Sequence, residues 1–306
     1  MAKVKSEPLV SIIINCFNGE KFLRQCLSSV SKQIYKNWEV IFWDNKSNDN
    51  TKKIFNEFKK DKRFKYFFAN KHTNLYVARN LAIRKSKGEV LTFLDTDDIW
   101  LPNKLQEQIQ YFKKNVKAEI LYSNYFIKKK ILGMNFIKKR YNKILPDGLI
   151  TNHLLKSYDV AWLTTAFKRK IFKNKQLFNE KFFMVSDYDL ILHLSLNKKI
   201  HCIQKPLAIY RYHSDQLTRN KFEIQISHMI SLFNKIKKNT RFNQLNNFKF
   251  LKNKISVLEK IQSINKGNLS LQKLLKLFYI FKLKDYIKLI FYYFFPNYFV
   301  KYLASL

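Results

Sequence analysis

Three acids stand within four positions, Asp95, Asp97 and Asp98, directly after the apolar run VLTFL. The chain has only 22 Asp plus Glu against 58 Lys plus Arg, so such crowding is conspicuous. Carboxylates this close repel, and each raises the pKa of the others. A divalent cation removes the repulsion. Mg2+ and Mn2+ take oxygen ligands, keep several waters and bridge to substrate phosphates. The chemistry open to this cluster is therefore the holding of a metal that holds a diphosphate. A second reading needs no metal: Asp97 or Asp98 caps the helix that follows Trp100. A cap uses one acid and leaves two unexplained. Elsewhere, SDYDL (186–190) puts Asp187 and Asp189 in a helical first turn, where the helix dipole favours acids. YRYH (210–213) turns Arg211 and His213 to the same side of a strand.

The elements that must position these groups read as an alternation from residue 9 to about 125. LVSIIIN (9–15) is a β-branched run suited to a strand buried on both faces. A helix over 19–33 places Phe22, Leu23, Cys26, Leu27 and Val30 at helical spacing. Strands follow over 37–45, 63–70, 89–98 and 118–127, with helices over 47–60, 74–88 and 102–115. Gly88 is expected to close the third helix, and Pro102 to open the fourth. The alternation predicts a mainly parallel α/β sheet with helices on both faces. In such sheets ligands bind beyond the carboxyl ends of the strands, where LTFLDTDD puts its acids. Residues 128–147 read as a loop or flap, 148–157 as a short helix, and 160–170 as a strand. A helix is expected over 186–199 and a broken strand over 199–213. After about residue 219 the chain becomes helical, Lys-rich and rich in Phe and Tyr, which sets a domain of 1–218 apart from a region of 219–306.

The bulk composition is permissive. With 306 residues, 46% of them apolar, and few Gly or Pro, the chain supports a large core and is not disordered. A formal charge of +36 suits an anionic partner: nucleic acid, an anionic membrane surface or a phosphorylated substrate. Lys, Asn, Ile, Phe and Tyr are abundant and share A/T-rich codons, so genome composition is a second source of that charge. Cys16, Cys26 and Cys202 show no metal spacing and read as reduced thiols. The N-terminus has no apolar signal region, and no stretch of about 18 uncharged apolar residues occurs. A cytoplasmic protein is the expectation.

The segments SIIINCFNGEKFLRQCLSSV, WDNKSNDNT, NLYVARNLAIRKSKGEVLTFLDTDDIWLPNKL, SDYDLILHL and YRYHSDQLT, in this order, resemble family-2 glycosyltransferases of GT-A (Rossmann-like) fold. They span residues 8 to about 218. The resemblance implies an inverting transfer of a sugar from a nucleotide diphosphate donor, with Mg2+ or Mn2+ as cofactor. DTD at 95–97 resembles the DxD motif, which implies that Asp95 faces the donor and Asp97 binds the metal. Asp98 matches a common extra acid without a defined role. Asp44 and Asn45 match the loop that contacts the nucleobase and ribose; Asn45 stands where a second Asp is frequent. Asn18 and Glu20 match the family's first loop, with Cys16 and Phe17 in place of its usual pair, and backbone from Ile14 to Phe17 would lie against the nucleoside. Arg79 and Asn80 match a donor-side contact.

Inversion by direct displacement needs a base for the acceptor hydroxyl proton. By resemblance this is Asp187, with Asp189 as runner-up and Ser186 replacing the usual Glu. A capping role for Ser186 or Asp187 stays open beside it. Arg211 and His213 match groups that contact the diphosphate, and His213 is a candidate metal ligand. Trp162 suits either an acceptor pocket or the core.

The stretch 271–304, with Lys among large apolar residues, fits a helix in a membrane interface or a helix pair on the catalytic domain. The first fits an acceptor glycan carried on a lipid, in bacterial surface polysaccharide or lipopolysaccharide synthesis, with UDP as the commonest donor carrier in the family. The competing class is a nucleic-acid-binding or anionic-membrane-binding protein without catalysis. No helix-turn-helix, finger or RNP-like motif is present, and that class leaves the acids at 95–98 without a purpose. No nucleic-acid partner is therefore expected.

Overall fold

The computed structural model describes residues 7–131, 133–172, 177–217 and 221–265. Two compact units emerge. One comprises 1–181 with 186–213, the other 182–185 with 214–306.

The first unit opens with β1 (Val10–Cys16), α1 (Glu20–Ser31), β2 (Trp38–Asp44), α2 (Thr51–Asn56), β3 (Phe64–Phe68), α3 (Leu75–Lys85) and β4 (Val90–Phe93). It continues with β5 (Ile99–Trp100), α4 (Lys104–Lys114), β6 (Ile120–Ile131), β7 (Met134–Lys139), α5 (Thr151–Lys156), β8 (Ala166–Lys168), α6 (Ser186–Ser195) and β9 (Ile200–Tyr212). One sheet runs β3-β2-β1-β4-β8-β6-β9-β5, with β7 added to β6. Strands β1 to β4 pair in parallel, as do β6 and β9, while β8 lies antiparallel between β4 and β6.

The two-residue period of β1 explains the layering. Val10, Ile12 and Ile14 join Leu23, Leu27 and Val30 of α1 and Leu105 and Ile109 of α4 in one apolar cluster. Ile13 points the other way, and α3 packs against β1 and β2. A strand buried on both faces needs apolar residues at odd and even positions alike, as the VSIIINC run provides.

Several sequence expectations are corrected. Gly88 does not end α3; Ser86 does, and Gly88 lacks positive φ. A Cβ at Gly88 would stand 2.5 Å from the Ser11 N and 2.6 Å from the Leu9 O, so glycine is required there by close approach to β1. The second helix begins at Thr51, because Asp49 turns the chain first by accepting the Thr51 N–H at 3.0 Å. The expected strand over 160–170 shrinks to β8 after a single 3-10 turn at Trp162–Thr164. Part of the expected flap over 128–147 is the β6–β7 hairpin. β5, absent from the sequence reading, pairs with β9 immediately after the acids.

The second unit carries α7 (Phe222–Lys237), α8 (Thr240–Asn243) and α9 (Phe248–Asn265). Within it Phe233 and Phe248 stack at 5.7 Å, and the Phe183 N–H donates to His228 Nδ1 at 3.0 Å. The basic aromatic stretch 271–304 lies outside the described residues. Among the described residues, no helix is long and apolar enough to cross a membrane.

Candidate active site

The acids at 95–98 sit in the turn between β4 and β5, at the carboxyl end of the parallel strands. The Leu94 N–H reaches back to the Ile13 carbonyl, and the Asp98 N–H closes on the Asp95 carbonyl at 3.1 Å. The three carboxyls then diverge. Asp95 is half-buried and receives Arg79 Nη2 at 2.6 Å. Asp97 meets His213 Nε2 at 2.9 Å. Asp98 is buried and accepts the backbone N–H of Arg211 at 2.9 Å. Neither Asp97 nor Asp98 caps the next helix, whose cap position is Asn103. The capping alternative is thus replaced by a clip from the β4–β5 turn to β9. Burial, then the charges of Asp97 and Asp95, push the Asp98 carboxyl well above the usual range.

Arg79 is buried on α3, with its guanidinium 5.4 Å from the Tyr76 ring and 5.8 Å from those of Trp162 and Phe178. Burial opposes its charge, but Asp95 holds its pKa above the ordinary value. On the same helix, three residues earlier, Tyr76 donates its O–H to Asp187 Oδ1 at 2.9 Å. Asp187 is half-buried in the first turn of α6. Burial lifts its carboxyl, while the Arg79 charge and the Tyr76 hydrogen bond pull it down; the net direction is upward. A carboxylate whose pKa is raised binds a proton more readily, which is the property a general base needs. The runner-up Asp189 is buried and paired with His193 one turn further along α6.

Arg211 is buried, with Nη2 donating to Gln25 Oε1 at 2.7 Å and its guanidinium 4.4 Å from the Phe22 ring. Phe22 also packs against His213, at 4.7 Å between centroids. Burial lowers the Arg211 pKa, and the Asp98 and Asp97 charges partly restore it. Gln25 and Phe22 are three apart on α1; Phe22 was read from sequence only as part of that helix's apolar face, and neither Gln25 nor Tyr76 was singled out. The legible signal for Tyr76 was its i,i+3 spacing from Arg79.

The other resemblance-derived residues are occupied within the chain. Both oxygens of Asp44 accept, from the Ser47 N–H at 2.7 Å and the Tyr66 O–H at 2.6 Å, and the side chain is buried. Asn45 spends its amide on the 72–73 loop: Nδ2 donates to the Thr73 carbonyl, and Oδ1 accepts from the Thr73 N–H and hydroxyl. Glu20 accepts from the Asn50 N–H and side chain, and Asn18 Oδ1 accepts the Asn48 N–H, which ties the first loop to the second. Asn18 takes φ 52°, a left-handed turn that Asn tolerates. Asn80 is buried, donating to the Phe178 carbonyl and Glu180 Oε1 and accepting the Leu177 and Phe178 N–H groups. Trp162 lies among Phe93, Phe167 and Phe178, which favours the core reading. Phe17 is exposed, its ring 4.2 Å from that of His72 beside Asn45.

A divalent ion fits this donor set. Asp97 and His213 offer an oxygen and a nitrogen 2.9 Å apart, both partly open to solvent. Among the described residues no group of three or more His, Cys, Asp or Glu is arranged to hold a metal, so an ion here would complete its shell with phosphate and water.

Comparison with known proteins sharpens the picture. The profile described as Glycosyl transferase family 2 matches residues 11–186. The UDP-Glc:alpha-D-GlcNAc-diphosphoundecaprenol beta-1,3-glucosyltransferase WfgD of Escherichia coli is 34% identical over 222 residues, covering 70% of this chain and 81% of its own. The putative teichuronic acid biosynthesis glycosyltransferase TuaG of Bacillus subtilis is 28% identical, covering 71% and 84%. Among solved structures, S. aureus TarS 1–349 with UDP-GlcNAc aligns with a TM-score of 0.62 at 16% identity, over 84% of this chain and 78% of that one. The mannosyltransferase PcManGT from Pyrobaculum calidifontis, with GDP-Man and Mn2+, aligns with a TM-score of 0.62 at 13% identity, over 98% and 86%. These two likenesses bear on the fold.

Proposed function

This chain belongs to glycosyltransferase family 2, and on that footing we propose that it transfers a sugar from a UDP-sugar to a hydroxyl of a lipid-linked glycan, with inversion, at a bacterial membrane surface. Its relative TuaG is named for teichuronic acid biosynthesis, and WfgD for a UDP-Glc donor and a GlcNAc-diphosphoundecaprenol acceptor, which supports this reading. The observation that carries the catalytic reading is the continuous path Asp187–Tyr76 and Arg79–Asp95 across α6, α3 and the β4–β5 turn.

In this mechanism Asp187 takes the proton of the acceptor hydroxyl as its oxygen attacks the anomeric carbon. The bond from that carbon to the diphosphate oxygen breaks on the opposite face, and the nucleoside diphosphate leaves. Tyr76 fixes the Asp187 carboxylate, and Arg79 couples its position to Asp95, which faces the donor. Asp97 and His213 would hold the divalent ion, which neutralises the leaving diphosphate when bound. Asp98 clips β9 to the acid turn, so that His213 reaches Asp97, and the fixed charge of Arg211 stands behind both acids. Asp44, Asn45, Asn18, Glu20 and Asn80 act on the donor through the loops they hold, with Phe17 and His72 as a face for the nucleobase. The domain of 1–218 would carry this chemistry, with 219–306 as a separate helical region.

The test is calorimetric titration with UDP, with and without Mn2+, on wild type and Asp97→Ala. Metal-dependent binding lost in the variant is expected. If UDP fails, dTDP and GDP follow; failure of all three refutes the donor site.

A further inference from the structure

Between Glu119 and Asp147 the chain has seven Lys or Arg and no Asp or Glu. This stretch forms most of the β6–β7 hairpin. Antiparallel partners share a face, so the register Lys128↔Ile137 and Lys130↔Asn135 sets one face, and Ile127↔Lys138 and Lys129↔Phe136 the other. Every residue of β7 is exposed. Met134 is 61%, Phe136 48% and Ile137 55% exposed, all close to the turn at Gly133. The apolar groups thus crowd the tip on both faces. Lys138, Lys139 and Arg140 follow them as a basic collar, Lys128 and Lys129 stand opposite Ile137 and Phe136 with the Lys129 Nζ 4.3 Å from the Tyr212 ring, and Lys130 sits within the tip.

Lysines on an edge strand guard against edge-to-edge pairing. That accounts for the collar but not for the exposed tip, since apolar clusters in water mark interaction surfaces. The hairpin is also continuous with the candidate site. On its other edge β6 pairs with β9 through Lys128↔Arg211 and Lys129↔Tyr212, and β9 runs directly into His213.

We propose that the β6–β7 hairpin docks tip-first on an anionic lipid bilayer, with Met134, Phe136 and Ile137 in the headgroup layer and the basic collar against lipid phosphates. Charge complementarity selects an anionic partner, and Met134 and Ile137, which cannot stack on bases, favour a bilayer over a nucleic acid. The inference rests on the reading that the acceptor is carried on a lipid, and it names the surface that brings the site to that lipid.

The test uses the full chain and vesicles of phosphatidylcholine, with and without phosphatidylglycerol. Phe136→Trp reports depth: relative to wild type, its emission shifts to the blue on anionic vesicles and is quenched by brominated lipid. Each basic residue near an anionic surface is worth about fivefold in affinity, so Lys130→Gln/Lys138→Gln/Lys139→Gln lowers vesicle binding by about 100-fold. Donor hydrolysis stays unchanged in these variants, and calorimetric donor binding is scored separately, so failure of docking is distinguishable from failure of the glycosyltransferase reading. The proposal is overturned if Trp at 136 stays unquenched in vesicle-bound protein, or if the triple variant binds vesicles like wild type. Indifference of wild type to phosphatidylglycerol, stronger retention on single-stranded DNA than on vesicles, or self-association lost in the triple variant would also overturn it.

Discussion

Tyr76→Phe removes one hydroxyl and leaves the ring that packs against Phe178 at 5.2 Å. In wild type that hydroxyl donates to Asp187 Oδ1 at 2.9 Å, and burial holds the phenol well above its ordinary pKa, so it stays a donor throughout the working range. The hydrogen bond favours the ionised carboxylate, so its loss raises the Asp187 pKa further. A hydrogen bond to a charged group is worth about 1.5–3 kcal/mol. Asp187 is half-buried and water can replace part of the bond, so the lower figure applies. One pH unit corresponds to about 1.4 kcal/mol. The acid limb of kcat/KM therefore moves up by about one pH unit, so activity is lost earlier as the pH falls. At pH well above the limb the loss is small. Hydrolysis of the donor identified by titration gives the profile without knowledge of the acceptor, because water takes the place of its hydroxyl. An unmoved limb in a folded Tyr76→Phe protein would refute Asp187 as the titrating base. The companion Asp189→Asn should leave the limb in place, since Asp189 is paired with His193 instead.

Three further outcomes follow from single sites. Asp187→Asn should lower turnover by about 10²–10⁴-fold, the usual contribution of a general base. Its folded-state pKa lies above the unfolded value, so stability falls as pH rises through the ordinary carboxylate range; at neutral pH thermal unfolding of the Asn variant should therefore occur at the wild-type temperature or above. Gly88→Ala drives a methyl into the backbone of Leu9 and Ser11, at a cost of about 1–3 kcal/mol in denaturant unfolding. Lys104 is fully buried, donating to Thr92 Oγ1 at 3.0 Å and Gln108 Oε1 at 2.9 Å, over the Trp100 ring at 3.8 Å. Burial holds its pKa well below the ordinary value, so the unfolded chain binds the extra proton and stability rises with pH up to the ordinary lysine range. Lys104→Met should flatten that rise by up to about 1.4 kcal/mol per pH unit; an unchanged slope in urea titrations from neutral to alkaline pH would show that the ammonium stays charged in the fold.

The sequence alone determined the strand and helix alternation of the first half, its mainly parallel sheet, and the position of the acids at a strand's carboxyl end. These follow from short-range facts: a β-branched run such as VSIIINC suits a strand buried on both faces, and LTFLDTDD changes character within one element. What only the tertiary structure decided is how the acids divide their work. Asp95, Asp97 and Asp98 stand within four positions, and the motif does not name their partners in the chain, yet one meets Arg79, one His213 and one a backbone N–H of β9. Asp187 and Tyr76 are 111 residues apart, and Asp98 and Arg211 are 113 apart. Asn45 and Asn80 look like ligand contacts in the linear motif but are consumed by loops at 72–73 and 177–180. A hydrogen-bonding group can serve a substrate only with the donors and acceptors that folding leaves over, and that remainder is set by partners a local sequence pattern does not contain.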